Sequence, residues 1–450
     1  MRVTVIGCGH LGATHAACMA SIGHEVLGVD IDADKVGLLN LGKGWFHEPG
    51  LDDMLEANIT AGRLRFTTSF AEAGSFASVH FIGVATPGRP DGSYDLSQLH
   101  AAFSSLVPYL SGDSLVIGKS TVPPGTAAAL QAMADGMLAA GQDHVEIVWN
   151  PEFLREGRAV SDTLRPDRIV VGAAGAGAVE TVREIYRPVT DAGVPLLVTD
   201  LATAELAKCA ANAFLATKIS FINAMSDVCR VTGGDVSALA LALGMDPRIG
   251  SAFLTAGIGY GGACLPKDVR GLGTFAARAD IGSAANLLGA VDAVNAVRGR
   301  QVIEIVRESL GGIAGKRIAV WGAAFKPGTD DVRDSAGLEV ASELRRLGAD
   351  VTVYDPMAGG NALVAFPELR FADEAVAAVA RADALVIVTA WPEFTQISPA
   401  DLASAVTCRK VIDACQGISG AAWRSAGWTV SSLTGVSSGR TFSAKASDAA

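Results

Sequence analysis

The sequence lacks any run of about 18 unbroken apolar residues, the length a membrane helix needs, although half of its 450 residues are apolar and its mean hydropathy is +0.34. Its opening, "MRVTVIGCGHLGATHAACMA", is interrupted by Gly and His and so does not supply the apolar segment of a signal peptide. A soluble, cytoplasmic protein with no membrane partner is therefore expected. The seven cysteines include no C-x-x-C pair, which argues against a zinc site and, with their odd number, against a disulfide framework. No metal is expected. There is no basic block, net charge is -11 and pI is about 5.2, so nucleic acid is not an expected partner. An anionic substrate would have to be held by local groups rather than by the overall field. No histidine lies beyond His144, which argues against a Cys–His hydrolase built on any later cysteine.

The length calls for two or three domains. "RVTVIG", a glycine turn, a helix from about Leu11 to Ile22 and "EVLGVD" open the chain. The runs "SVHFIGVATP", "SLVIGKSTVPPG", "VEIVWNPEF" and "GVPLLVTD" follow, alternating with helical stretches. That alternation predicts a doubly wound parallel sheet, whose ligands bind at the carboxyl ends of the strands. From Leu201 to Val231 there is neither Pro nor Gly and apolar residues recur at helical spacing, so one long helix is predicted, with a further helical region from 269 to 310. "SLGGIAGK" reads as a linker. "RIAVWG", "GLEVASELRRLG", "DVTVYDP", "ALVIVTAW" and "KVIDAC" then restart the strand–helix alternation. The expected fold is α/β: two Rossmann-like doubly wound domains, at 1–200 and 311–430, joined by a central helical region at 201–310. The Ser-, Gly- and Ala-rich tail at 431–450 is expected to fray.

"GCGHLG" fits G-x-G-x-x-G through Gly7, Gly9 and Gly12. Alone the pattern describes any tight βα turn, but here it follows a strand, opens a helix, and precedes Asp30 at the end of the next strand. In that setting the glycines let the backbone approach a pyrophosphate at a helix N-terminus. Asp30 would accept from ribose hydroxyls and, with Asp32 close by, would repel a 2′-phosphate, so NAD is favoured over NADP.

"GIGYGGACLPKD" places Cys264 after glycines rather than among large apolar residues. Pro266 and Asp268 suit a helix's first turn. Cys264 is thus expected at a helix N-terminus with Lys267 nearby, two features that favour a thiolate. Cys8, Cys18, Cys209 and Cys229 are read as small buried hydrophobes. In "AELAKCAANAF", Lys208 and Asn212 lie four apart and share one helix face. Such a pair usually points to solvent, yet among Cys and Ala a cation and an amide suit an oxyanion. "NPEFLREG" adds Glu152 and Glu156, and "KSTVPPG" adds Thr121. Hydride transfer alone needs no thiol. Oxidation past an aldehyde to an acid does, through a hemithioacetal and a thioester.

In "GCGHLG", "VDID", "STVPPGT", "NPEFLREG", "AELAKCAANAFLATKISFIN", "DPRIGSAFLTAGIGYGGACLPKD" and "AAFKPGTDDVRDS" the chain resembles the UDP-glucose/GDP-mannose dehydrogenase family, in order from Met1 to about Val430. The resemblance implies NAD-dependent four-electron oxidation of a nucleotide-hexose at C6 to its uronic acid, with UDP-glucose foremost and dTDP-glucose or GDP-mannose as alternatives. It implies a helical dimerisation core, hence a homodimer or higher homo-oligomer. It makes Cys264 the thioester-forming nucleophile. Lys208, Asn212, Asp268 and Thr121 would act around the C6 oxygen, and Glu152 would assist hydrolysis. Asp30, Lys35, Thr86, Thr121, Glu156, Lys267 and Arg333 would serve the cofactor. Glu152, Phe153, Leu154, Lys208, Asn212, Phe253, Gly257, Tyr260, Gly261 and Lys326 would contact the substrate, and Arg248 would reach the partner subunit's site. The chain departs from the family pattern at Ala224 and Leu265, and at Cys415, where an arginine for the nucleotide is often found; Arg409 or Lys410 could replace that cation. A non-catalytic binding protein and a two-electron hydroxyacid dehydrogenase are the competing readings. The second would not need Cys264.

Overall fold

The computed structural model describes residues 1–138 and 144–434, so 435–450 of the tail lie outside the described residues. The chain divides into two compact units, Met1–Asn212 with Arg270–Ile281, and Ala213–Val269 with Gly282 onward. Each is an α/β unit around its own sheet.

The first unit holds β1 (Arg2–Ile6), β2 (Glu25–Val29), β3 (Leu64–Thr67), β4 (Val79–Ile82), β5 (Asp113–Gly118), β6 (His144–Trp149), β7 (Ile169–Gly172) and β8 (Leu196–Thr199), in the order β3-β2-β1-β4-β5-β6-β7-β8. The central strands are apolar runs buried on both faces, as a sheet covered by helices on each side requires. His80 in β4 fits there because burial pulls its imidazole down to about 4, and its Nδ1 meets Thr4 Oγ1 at 2.7 Å. β1 to β6 are parallel, as expected. β7 then pairs antiparallel with β6, through Trp149 and Gly172, and parallel with β8. β3 and β7, four residues each, were passed over in the sequence.

The second unit holds β9 (Arg317–Trp321), β10 (Asp350–Tyr354), β11 (Arg370–Phe371), β12 (Ala384–Ile387), β13 (Lys410–Asp413) and β14 (Thr429–Ser432), all parallel, in the order β11-β10-β9-β12-β13-β14. β14 takes in Ser431 and Ser432, two residues past the sequence-based domain end. Trp321 is fully buried, donates to Ala375 O at 3.0 Å and stacks on Phe394.

Helix Leu201–Thr232 is unbroken, as its lack of Pro and Gly predicted. Its residues to Asn212 belong to the first unit and the rest to the second. The single helical region expected from 269 to 310 is two helices, Leu265–Arg278 and Gly282–Leu310. The chain breaks at 279–281, where Asp280 takes φ 59° and no helix can continue.

Candidate active site

The glycine turn is held by its own packing. Gly7 has φ 86°, and a Cβ there would lie 2.6 Å from Val84 Cγ1. A Cβ on Gly12 would lie 1.7 Å from Gly7 O. A Cβ on Gly9, by contrast, would meet nothing within 4 Å. The turn is therefore tight on the protein side and open where helix His10–Ser21 begins, which is what a pyrophosphate at a helix N-terminus requires. Asp30 Oδ2 accepts from Cys8 N at 2.8 Å and Oδ1 from Asp32 N at 3.0 Å. A carboxylate has about four acceptor positions, so capacity for ribose hydroxyls remains. These residues fit NAD. Lys35 lies over the Trp45 ring, 4.7 Å from its centroid, and Trp45 Nε1 donates to Cys8 O at 3.0 Å. Thr86 Oγ1 donates to Thr121 O at 2.7 Å, which joins two of the expected cofactor residues.

In the same unit Lys208 Nζ meets Glu152 Oε1 at 2.9 Å, and Lys208 is 3% exposed. Glu152 Oε2 accepts from Leu154 N at 2.8 Å. The Phe153 ring has the Arg168 guanidinium 3.8 Å from its centroid and Lys208 Nζ at 5.8 Å. Asn212 is also buried. Helix Leu201–Thr232 is anchored just where it carries Lys208. Glu205 accepts from Gly125 N at 2.7 Å and Ala127 N at 2.5 Å, at the start of helix Thr126–Met137. Cys209 Sγ donates to Val122 O at 3.3 Å. Burial pushes the Glu205 carboxyl up, and the backbone donors partly offset that shift. Glu156 is half-buried beside this loop in sequence.

In the second unit Cys264 immediately precedes helix Leu265–Arg278, and Asp268 N donates to its carbonyl at 2.9 Å. Among the seven cysteines it is the exposed one; Cys8, Cys18, Cys209 and Cys229 are buried. Asp268 is fully buried and meets Lys267 Nζ at 2.7 Å. The glycine loop before Cys264 is clamped on three sides. Asn223 Oδ1 accepts from Gly257 N at 2.8 Å, and Arg298 Nε, on a fully buried side chain, donates to Gly257 O at 2.9 Å. Asn295 accepts from Tyr260 N and donates to Tyr260 O, each at 2.9 Å. Gly262 N donates to Arg333 O at 3.0 Å, and a Cβ on Gly261 would lie 2.1 Å from Asp334 O. Arg333 grips Asp331 through Nε and Nη2 at 2.6–3.0 Å. Lys326 lies over Phe325, and Phe253 has φ 64°. Arg248 is 87% exposed at its side chain and pairs with Asp246.

Cys415 packs against the same loop: its Cα would lie 3.3 Å from a Cβ on Gly257. Burial beside Asp413 pushes its thiol up. Lys410 does not stand in for a cation there, because it begins β13, at the far end of that strand from Cys415, and its Nζ donates to Ser309 O at 2.5 Å.

Sequence reasoning passed over Lys119, Asn150, Glu205, Asn223, Asn295 and Arg298. Each is polar, buried and bonded to the backbone of a site loop or to a residue that is, save that Asn295 is only half-buried. Polar residues at the ends of apolar strands, or inside long apolar helices, were the available signal.

Three family models describe this chain: the UDP-glucose/GDP-mannose dehydrogenase NAD binding domain over 1–190, the central domain over 202–297 and the UDP binding domain over 319–419. The chain is 42% identical over 405 residues to the UDP-glucose 6-dehydrogenase of Pseudomonas aeruginosa, covering 88% of this chain and 89% of that one. It is 43% identical over 420 residues to that of Haloferax volcanii, covering 92% and 96%. A solved UDP-glucose dehydrogenase from Pyrobaculum islandicum superposes with a TM-score of 0.86 at 36% identity, covering 94% of this chain and 98% of that one. With the cradle at Gly9 and Asp30, the exposed thiol at Cys264 and the buried Lys208 paired with Glu152, the chain belongs to the UDP-glucose/GDP-mannose dehydrogenase family and is an NAD-dependent nucleotide-sugar dehydrogenase.

Proposed function

We propose that the chain oxidises UDP-glucose at C6 to UDP-glucuronate in two successive two-electron steps, through a thioester on Cys264. The observation that carries this reading is the exposure of Cys264 at a helix N-terminus, while the other six thiols are buried or half-buried. The relatives' substrate favours UDP-glucose over dTDP-glucose and GDP-mannose.

NAD, when bound, supplies the hydride acceptor for both oxidations. The chain's own groups do the rest. The C6 alcohol gives up a proton and a hydride to become an aldehyde. Cys264 Sγ then forms a bond to C6, and the resulting alkoxide is the charge that Lys208 and Asn212, with Asp268 relaying protons, are assigned to stabilise. Loss of a second hydride leaves the thioester. Water adds to C6 as Glu152 takes its proton, the C–S bond breaks, and the thiolate returns with the carboxylate product. Thr121 is assigned to hold that water. Glu156, Lys35, Thr86, Lys267 and Arg333 are assigned to the cofactor. The loop through Phe253, Gly257, Tyr260 and Gly261, with Phe153, Leu154 and Lys326, is assigned to the sugar nucleotide.

We take the working form to be at least a dimer. Phe214, Phe221 and Val228 are exposed at 67%, 49% and 51% and lie seven apart on helix Leu201–Thr232, an apolar seam of the kind a second helix covers. The exposed Arg248 is free of the fold's core and suits a reach to a partner's site. A reducing cytoplasm suits thiols that form no disulfide.

The test counts NADH per UDP-glucose. Two are expected, and Cys264→Ser should trap an ester on the protein by intact mass. Uronic acid made at the native rate by Cys264→Ala would refute the thioester. One NADH per sugar would leave the hydroxyacid-type reading standing instead.

A further inference from the structure

The first unit contains a buried lysine that the chemistry above does not use. Lys119 follows β5, is 5% exposed, and donates from Nζ to Asn150 Oδ1 at 3.0 Å and Asn150 O at 3.2 Å, with Tyr186 OH at 3.5 Å. Tyr186 OH donates to the same Oδ1 at 2.7 Å, and Asn150 Nδ2 donates to Val170 O in β7 at 2.8 Å. Asn150, Pro151 and Glu152 are consecutive, so these bonds fasten the turn that presents Glu152. A buried ammonium is costly unless it is paired. The groups facing this one are Glu152 of opposite sign, Lys208 of like sign, and the uncharged His15 and Tyr186. A cavity of about 60 Å³ adjoins Lys119 and is also lined by His15, Asn150, Glu152 and Tyr186. The fully buried His15 Nε2 has no protein partner there, and the volume suits a few waters.

We propose that Lys119 is a positioning residue for thioester hydrolysis: its ammonium fixes the Asn150–Glu152 turn and, with Lys208, aims the Glu152 side chain. No proton passes through Lys119; it acts by charge and by its hold on Asn150. The proposal rests on the reading of Glu152 as the hydrolytic base. Burial pulls the Lys119 ammonium down to about 8, so the hold is present below that pH and weakens above it.

The experiment uses the full chain with UDP-glucose and NAD. In Lys119→Met the two hydride transfers of a first turnover should keep their rates within about 2-fold. Steady-state kcat should fall on the order of 10- to 100-fold, with a glucuronyl thioester accumulating by intact mass. Lys119→Arg, for which the cavity leaves room, should recover part of kcat and move its alkaline limb from near pH 8 upward. Should Lys119→Met not fold, Tyr186→Phe supplies the reading: losing a facing acceptor should move the same limb to lower pH. Hydride transfer slowed as much as turnover, or an alkaline limb unmoved in both Lys119→Arg and Tyr186→Phe, overturns the proposal. Glu152→Gln is the separate control. If it hydrolyses the thioester at the native rate, the reading of Glu152 fails, whatever Lys119 does.

Discussion

In the first unit β1 turns through Gly7 into a helix at His10, and β2 delivers Asp30; in the second, β9 turns through Gly322 and β10 delivers Asp355, at the same two places of the same strand order. The order β3-β2-β1-β4-β5-β6 is repeated as β11-β10-β9-β12-β13-β14. The two acidic residues nevertheless have opposite fates. Asp30 takes one backbone donor per oxygen and stays half-buried. Asp355 takes Ala323 N, Ala324 N and Trp391 Nε1 on Oδ2, and Met357 N and Ala358 N on Oδ1, all at 2.7–3.0 Å, and is 7% exposed. The first glycines match: Gly7 and Gly322 both take positive φ, and a Cβ would lie 2.6 Å from Val84 Cγ1 in one and 2.4 Å from Thr389 Oγ1 in the other. Two residues on they part: a Cβ on Gly9 would meet nothing within 4 Å, whereas the second unit has the buried Ala324 there. One topology thus gives a cofactor cradle in one half and a sealed structural joint in the other, because side chains, not strand order, decide whether a strand end keeps unspent acceptors.

That contrast can be broken by substitution, and the largest effect should come from Gly12→Val. Its side chain has no room against Gly7 O. NAD binding, read by fluorescence titration, should be abolished; a variant with the native NAD KM would show that the turn is not the cradle. Next comes the pair Asp355→Asn and Asp30→Ala. The former should lower stability by about 2–4 kcal/mol in denaturant titration, since it weakens five charge-assisted bonds at once, and leave the NAD KM near native. The latter should raise the NAD KM about 10-fold and narrow the preference over NADP while barely moving the denaturation midpoint. If the two variants exchanged these signatures, the comparison of the halves would be wrong.

A smaller effect is expected at the loop clamp of the second unit. Asn295→Leu removes both bonds to Tyr260 and should raise the UDP-glucose KM by about 10-fold with a lesser fall in kcat. A change in the NAD KM instead would assign the loop to the other ligand. The smallest effect concerns Lys119. Its ammonium titrates near pH 8 when folded, against an ordinary 10.5. Between those values the unfolded chain holds a proton that the folded chain does not, so stability from this group rises with pH across that window and is at its lowest below pH 8. The difference in melting temperature between the native chain and Lys119→Met should shift in the native chain's favour from pH 8 to 10.5. A constant difference would mean the lysine titrates normally.

The apolar runs of β1, β4, β5 and β12 were plain in the sequence because strands buried on both faces carry near-continuous hydrophobic side chains. The Pro- and Gly-free stretch after Leu201 likewise announced a single long helix. β11 was not legible, being two residues long and made a strand by its pairing; β7 is as long as β4 and β12, and its apolar run was passed over. The antiparallel joint of β6 and β7 was equally hidden, since the backbone direction of a strand leaves no mark on its composition.

By itself the sequence determined what depends on near neighbours in the chain. It placed the G-x-G-x-x-G turn after a strand, Asp30 at the next strand end, Cys264 at a helix start, and Lys208 and Asn212 on one helix face. Only the tertiary structure decided what depends on residues far apart: that Lys208 meets Glu152, that Asn223, Asn295 and Arg298 clamp one loop, and that Lys119 and Tyr186 converge on Asn150. The reason is that a buried polar group must find partners wherever the packing brings them. That requirement fixes pairings across 30 to 80 positions of chain, in contacts such as Asn150–Tyr186 and Ala127–Glu205, that no local spacing records.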